Sequence, residues 1–66
     1  MENEYCIEVW SNIFRFEYEI WTGWNFSQLM IFKAEDAAKA LENANNYIKK
    51  KSNQHFKLQI RDIKKI

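Results

Sequence analysis

His55 and Cys6 are the one histidine and the one cysteine of this 66-residue chain, and together they are its nucleophile and base candidates. A working pair would also need a third group to orient the imidazole and an oxyanion hole to stabilise the intermediate. The sequence places neither a glycine-rich turn nor a helix N-terminus near them. They read as a strand-edge histidine and an ordinary thiol, so no catalytic residue is expected and the chain is not read as an enzyme. Metal chemistry fares no better. One His and one Cys cannot complete a four-ligand zinc site, and the acids alternate along strands instead of clustering in an oxygen-rich loop. A single glycine cannot build a phosphate-cradling loop. No metal, phosphate cradle or other cofactor is expected.

What the residue types do support is recognition. Five Phe, three Tyr and three Trp are present, and interface cores are enriched in such side chains with charge displaced to the rim. Trp10, Ile13 and Trp21 fall on the strand face that the core does not require, with Trp24 and Met30 nearby and Arg15, Glu17 and Glu19 around them. A contiguous apolar patch on a small protein marks an interaction site, and tryptophan is prominent among interface anchors. The expected function is therefore a non-enzymatic protein-binding module of the inhibitor or adaptor kind that phages and mobile elements direct at host machinery. Its partner would be another protein or a second copy in a homodimer, and the glutamates would set specificity and on-rate.

The alternative is a single-stranded nucleic-acid binder that stacks bases on sheet aromatics and tracks phosphate with Lys49, Lys50, Lys51, Lys57 and Arg61. Such binding depends on positive charge beside the aromatics. Glu4, Glu8, Glu17 and Glu19 line the aromatic strands instead, which makes this the second choice.

The elements that must position these groups follow from hydrophobic periodicity. Tyr5, Ile7 and Val9 alternate with Glu4, Cys6, Glu8 and Trp10, and Phe14, Phe16, Tyr18 and Ile20 alternate with Ile13, Arg15, Glu17, Glu19 and Trp21. Period-two patterning of this length predicts two half-buried strands. With Ser11-Asn12 as the turn, Val9 faces Phe14, Ile7 faces Phe16 and Tyr5 faces Tyr18, while Glu8 meets Arg15 on the other side. The single glycine, in Thr22-Gly23-Trp24-Asn25, predicts the next turn, followed by a third strand over residues 26–33.

Residues 34–51 carry Ala37, Leu41, Ala44 and Ile48 at helical spacing, with Ala40 and Tyr47 alongside. Glu35 and Asp36 in the first turn and Lys49, Lys50 and Lys51 in the last complement the helix dipole. Phe56, Leu58 and Ile60 then alternate in a final strand, and Ile63 and Ile66 break its phase, which predicts a bulge or a frayed tail. The fold class expected is α+β. Residues 1–66 would form one small domain, a mostly antiparallel four-stranded sheet of order 3-2-1-4 with one helix on one face. The last strand would run parallel to the first.

Charge is unevenly distributed. Residues 1–33 hold five acids against Arg15 and Lys33, and residues 34–66 hold eight bases against four acids. In the expected order Lys57 and Arg61 would adjoin Glu4 and Glu8 and absorb the split internally. The longest apolar run, Leu29-Met30-Ile31-Phe32, is far short of the roughly 20 residues a membrane span requires. The start Met-Glu-Asn-Glu has no secretory character, so a soluble cytoplasmic protein is expected.

Overall fold

The computed structural model describes residues 2–66. Its elements are β1 (Asn3–Arg15), β2 (Ile20–Trp21), β3 (Asn25–Ala34), α1 (Ala37–Lys51) and β4 (Phe56–Lys65). The fold is α+β: three long antiparallel strands in the order β3-β1-β4, extended at one end by the two-residue β2, with the helix on one face. Among the described residues no helix is long and apolar enough to cross a membrane.

The first departure from the sequence reading is that β1 does not turn at Ser11-Asn12. Both residues lie inside a single strand of 13 residues. A two-residue hairpin turn there would need positive φ at Ser11 (type II′) or at both Ser11 and Asn12 (type I′), and neither is glycine. The chain reverses instead over residues 16–19, where the Tyr18 amide donates to the Arg15 carbonyl at 3.3 Å and Glu19 takes a φ of 52°. The hairpin pairs are therefore Phe14 with Trp21 and Arg15 with Ile20. The expected pairings of Phe14, Phe16 and Tyr18 with Val9, Ile7 and Tyr5 do not form, nor does Glu8 meet Arg15.

The order 3-2-1-4 is replaced because β1, not a second long strand, sits at the centre. β3 pairs antiparallel with one of its edges, from Asn3 opposite Ala34 to Ser11 opposite Asn25. β4 pairs antiparallel with the other, from Tyr5 opposite Lys65 to Ile13 opposite Phe56. β4 is thus parallel to β3, as a helical crossover requires, but not to β1. With β1 lying between β3 and β4, the unit is a split β-α-β. This direction also moves the charges. Lys57 falls opposite Asn12 and Asp62 opposite Glu8, so the expected adjacency of Lys57 and Arg61 to Glu4 and Glu8 is lost; Lys33 pairs with Glu4 at 4.0 Å instead.

Helix formation follows the sequence closely. Asp36 lies just outside α1 as its N-cap, its carboxylate accepting the Lys39 amide at 2.8 Å, so the first helical turn holds no acid. Lys49, Lys50 and Lys51 occupy the last turn, and the Ser52 amide closes it onto the Ile48 carbonyl at 2.8 Å. Ala40 and Ala44 are fully buried over Tyr5, Ile7, Val9 and Ala34, with Met30, Phe32, Ile48, Leu58, Ile60 and Ile63 packed around them. Alanine lets the helix approach the sheet closely. Of the expected bulge or frayed tail, the bulge is what forms: Ile60 faces Val9 and Asp62 faces Glu8, leaving Arg61 as the extra residue, and this returns Ile63 to the core side opposite Ile7.

Because Ile7 sits fully buried in the central strand, Ile7→Ala is expected to lower the unfolding free energy by about 2–5 kcal/mol. Phe16→Ala, at a position the alternation assigns to the core but the fold exposes, should change it by less than about 1 kcal/mol. Urea denaturation of both variants measures the contrast.

Candidate binding face

A 15-residue helix is about 22 Å long, whereas β1 extends about 43 Å. The helix therefore covers one side of part of the sheet and leaves the opposite side, and the hairpin end, without cover. Side chains alternate across β1, so burial of Tyr5, Ile7 and Val9 beneath the helix puts Glu4, Cys6, Glu8, Trp10, Asn12 and Phe14 on the open side. β3 adds Phe26 opposite Trp10, Leu29 opposite Glu8 and Ile31 opposite Cys6.

The aromatic groups on this side form two touching sets. Trp10 meets Phe26 edge to face, with centroids 6.4 Å apart and planes at 88°. Phe14 stacks on Phe16 at 5.2 Å, and Trp21 and His55 flank the pair, Trp21 at 5.6 Å from Phe14 and His55 at 4.6 Å from Phe16. Two cations lie over these rings. The Arg61 guanidinium sits 4.5 Å from the Trp10 centroid and Lys57 Nζ 4.8 Å from that of Trp21, within the range where a ring face attracts a cation. Arg61 is held there by its Nε–H donating to Gln59 Oε1 at 2.9 Å. Among the described residues neither cation joins an ion pair.

The hairpin that carries the outer set is stitched where its second arm is interrupted at residues 22–24. The Gly23 amide donates to Asn12 Oδ1 at 3.0 Å, and the Ile13 amide donates to Thr22 Oγ1 at 3.3 Å. The Thr22 amide in turn reaches the Ile13 carbonyl at 2.9 Å. Gly23 has a φ of 89°, a conformation that side chains with a Cβ adopt only under strain. Asn12 is thus a clamp on the opposing arm and not a turn residue.

Of the residues expected to bind protein, Trp10 and Trp21 share the open face. Ile13 and Arg15 lie on the other side of β1, near and beyond the end of the helix, and are exposed. Glu17 and Glu19 are in the exposed turn, Trp24 is half-buried in the link to β3, and Met30 packs against the core. Of the basic residues in the nucleic-acid reading, Lys57 and Arg61 join the aromatic face, while Lys49, Lys50 and Lys51 end the helix. The side chains that sequence reasoning assigned to the core, Phe14 and Phe16, belong to the open face. An unbroken alternation from Cys6 through Trp10 to Phe14 is the signal that would have placed Phe14 there.

Cys6 and His55 are not brought together. Cys6 pairs with Lys64, whereas the His55 carbonyl accepts the Phe14 amide. Eight residues of β1 therefore separate the two levels, about 27 Å. Cys6 lines a shallow depression of about 270 Å³ with Glu8, Leu29, Asp62 and Lys64.

Comparison of the chain with known protein families, with curated proteins and with solved structures finds no match.

Trp10 Nε1 is buried without a hydrogen-bond partner among the described residues, a costly state for an indole N–H. Trp10→Phe, which keeps a ring and removes the donor, is expected to unfold within about 1 kcal/mol of the parent or later, whereas Trp10→Ala should lose about 3 kcal/mol. Thermal and urea unfolding of the two variants test this.

Proposed function

We propose that this chain is a non-enzymatic binding module, an inhibitor or adaptor, that holds another protein against the helix-free face of its sheet. One observation carries the reading: Trp21, Phe26, Leu29 and Ile31 stand exposed on a face that the helix does not cover. Side chains of this type are retained at a surface where they anchor a partner. The geometry adds a preference about that partner. Among the described residues Arg61 and Lys57 lie among the rings with no acid paired to them, so the ring end of this face, away from Glu4 and Glu8, best complements an apolar patch bordered by carboxylates.

The same two cations favour one further reading. Aromatic rings interleaved with Arg and Lys are also how single-stranded nucleic acid is stacked and neutralised. Against it, Lys49, Lys50 and Lys51 lie on the helix and cannot extend a phosphate track across the open face. Protein binding is therefore the stronger proposal.

Capture from host lysate, with and without nuclease, separates the readings. Trp21→Glu is expected to weaken nuclease-resistant capture of a protein by about 30-fold, the loss of one anchor of about 2 kcal/mol. That capture should change little between about 50 and 200 mM salt, whereas phosphate binding would fall steeply over the same range. Retention that nuclease abolishes and Lys57→Ser weakens would transfer the function to nucleic acid.

A further inference from the structure

The two edges of the sheet are protected very differently. β4 carries Lys57, Arg61, Lys64 and Lys65 and a bulge at Arg61, the devices by which natural sheets discourage another strand from pairing. β3 runs for ten residues, NFSQLMIFKA, with no charge before Lys33. Among the described residues β3 pairs only with β1, so its other edge presents open backbone groups.

Which groups those are follows from β1. Its even-numbered residues serve β4: the Phe14 amide donates to the His55 carbonyl and the Glu4 carbonyl accepts the Ile66 amide, both at 2.9 Å. Odd-numbered residues turn the other way, as Ile13 does towards Thr22. Tyr5 is opposite Phe32 and Ile7 opposite Met30. Phe32 and Met30 therefore exchange hydrogen bonds with β1, and the N–H and C=O of Leu29, Ile31 and Lys33 point to the open edge.

We propose that a second copy of this chain pairs antiparallel with β3, joining two molecules into one sheet of six long strands. Three observations select a second copy as the occupant. Across a two-fold axis a strand meets itself, so a charged strand such as β4 would set base against base. In a register centred on Met30, by contrast, Leu29 faces Ile31, Gln28 faces Phe32 and Ser27 faces Lys33, with no like charges opposed. Phe26, Leu29 and Ile31 are 53%, 60% and 55% exposed in the single chain, and Leu29 and Ile31 would pack against their counterparts across the seam. Finally, among the described residues only Ile7 and Val9 are large side chains that are fully buried. A core this small in a chain of 66 residues with a single cysteine is of the kind that oligomerisation commonly supplements. The axis stands perpendicular to the sheet, so both helices lie on one side and both aromatic faces on the other. The seam takes up Leu29 and Ile31 at the β3 edge and leaves Trp10, Trp21 and the cations over them on the open face.

Sedimentation equilibrium tests it. The expected wild-type mass in the micromolar range is twice the 8.1 kDa of the chain. Ile31→Pro, which removes an edge amide without touching the β1 ladder, should give a monomer with unchanged helical circular dichroism. Leu29→Lys, which leaves the backbone intact, should weaken dimerisation at least tenfold and decides the matter if the proline variant misfolds. Trp21→Glu should remain dimeric. A monomeric wild type, a dimer that survives Leu29→Lys, or a dimer lost in Trp21→Glu would overturn the proposal, the last by showing that copies stack face to face.

Discussion

Burial of the odd-numbered row of β1 is the constraint on which the rest of the molecule depends. Tyr5, Ile7 and Val9 lie in the central strand, under the helix and between two antiparallel partners. Each neighbour must keep its own apolar residues in phase with that row. β3 does so with Ser27 as an extra residue and β4 with Arg61, the two irregularities falling on adjacent steps of β1, between Val9 and Trp10 and between Glu8 and Val9. A bulge bends a strand and increases its twist.

The distribution of large side chains connects this geometry to function. α1 contributes Ala40 and Ala44 to the centre of the core, so close approach takes the place of bulk. The rings that could have enlarged the core, Phe14, Phe16, Trp21 and Phe26, lie on the side away from the helix or at the hairpin end, with Arg61 and Lys57 over two of the tryptophans. The exposed rings, Phe16, Trp21 and Phe26, therefore add little to the core, in contrast to half-buried Trp10. Those positions are correspondingly free to be shaped by what they contact.

Local patterning made much of this legible. The period of two located Tyr5, Ile7 and Val9, the helical spacing located Ala40, Ala44 and Ile48, and the broken phase at Ile63 located the β4 bulge. The reversal was not legible, because Ser11-Asn12 resembles a turn and residues 16–19 do not: the true turn holds Phe16, Glu17, Tyr18 and Glu19, and it uses positive φ at a glutamate. That one displacement propagated. It created a false second row from Phe14 to Ile20, placed a strand between β1 and β3, and reversed the direction of β4 relative to β1. For the candidate face, Trp10 and Trp21 were readable from parity alone. Met30 was not, because the Ser27 bulge shifts the phase of β3, and the meeting of Lys57 and Arg61 with the tryptophans depends on a long-range pairing that no local pattern encodes.

The pairing of Tyr5 with Lys65 and of Ile13 with Phe56 also orders events in time. The hairpin of β1 with β2 and β3 can close as soon as its own residues are made. The second ladder of β1 reaches past β3 and the helix and must wait for β4. Until β4 is made, Tyr5, Ile7 and Val9 lie against only one neighbouring strand, and the interior cannot seal. Long-range closure of this kind is slow relative to the local hairpin, and an open apolar strand in the interval is what chaperones recognise. The central position of β1 thus ties closure of the core to its long-range ladder with β4, not to the local hairpin.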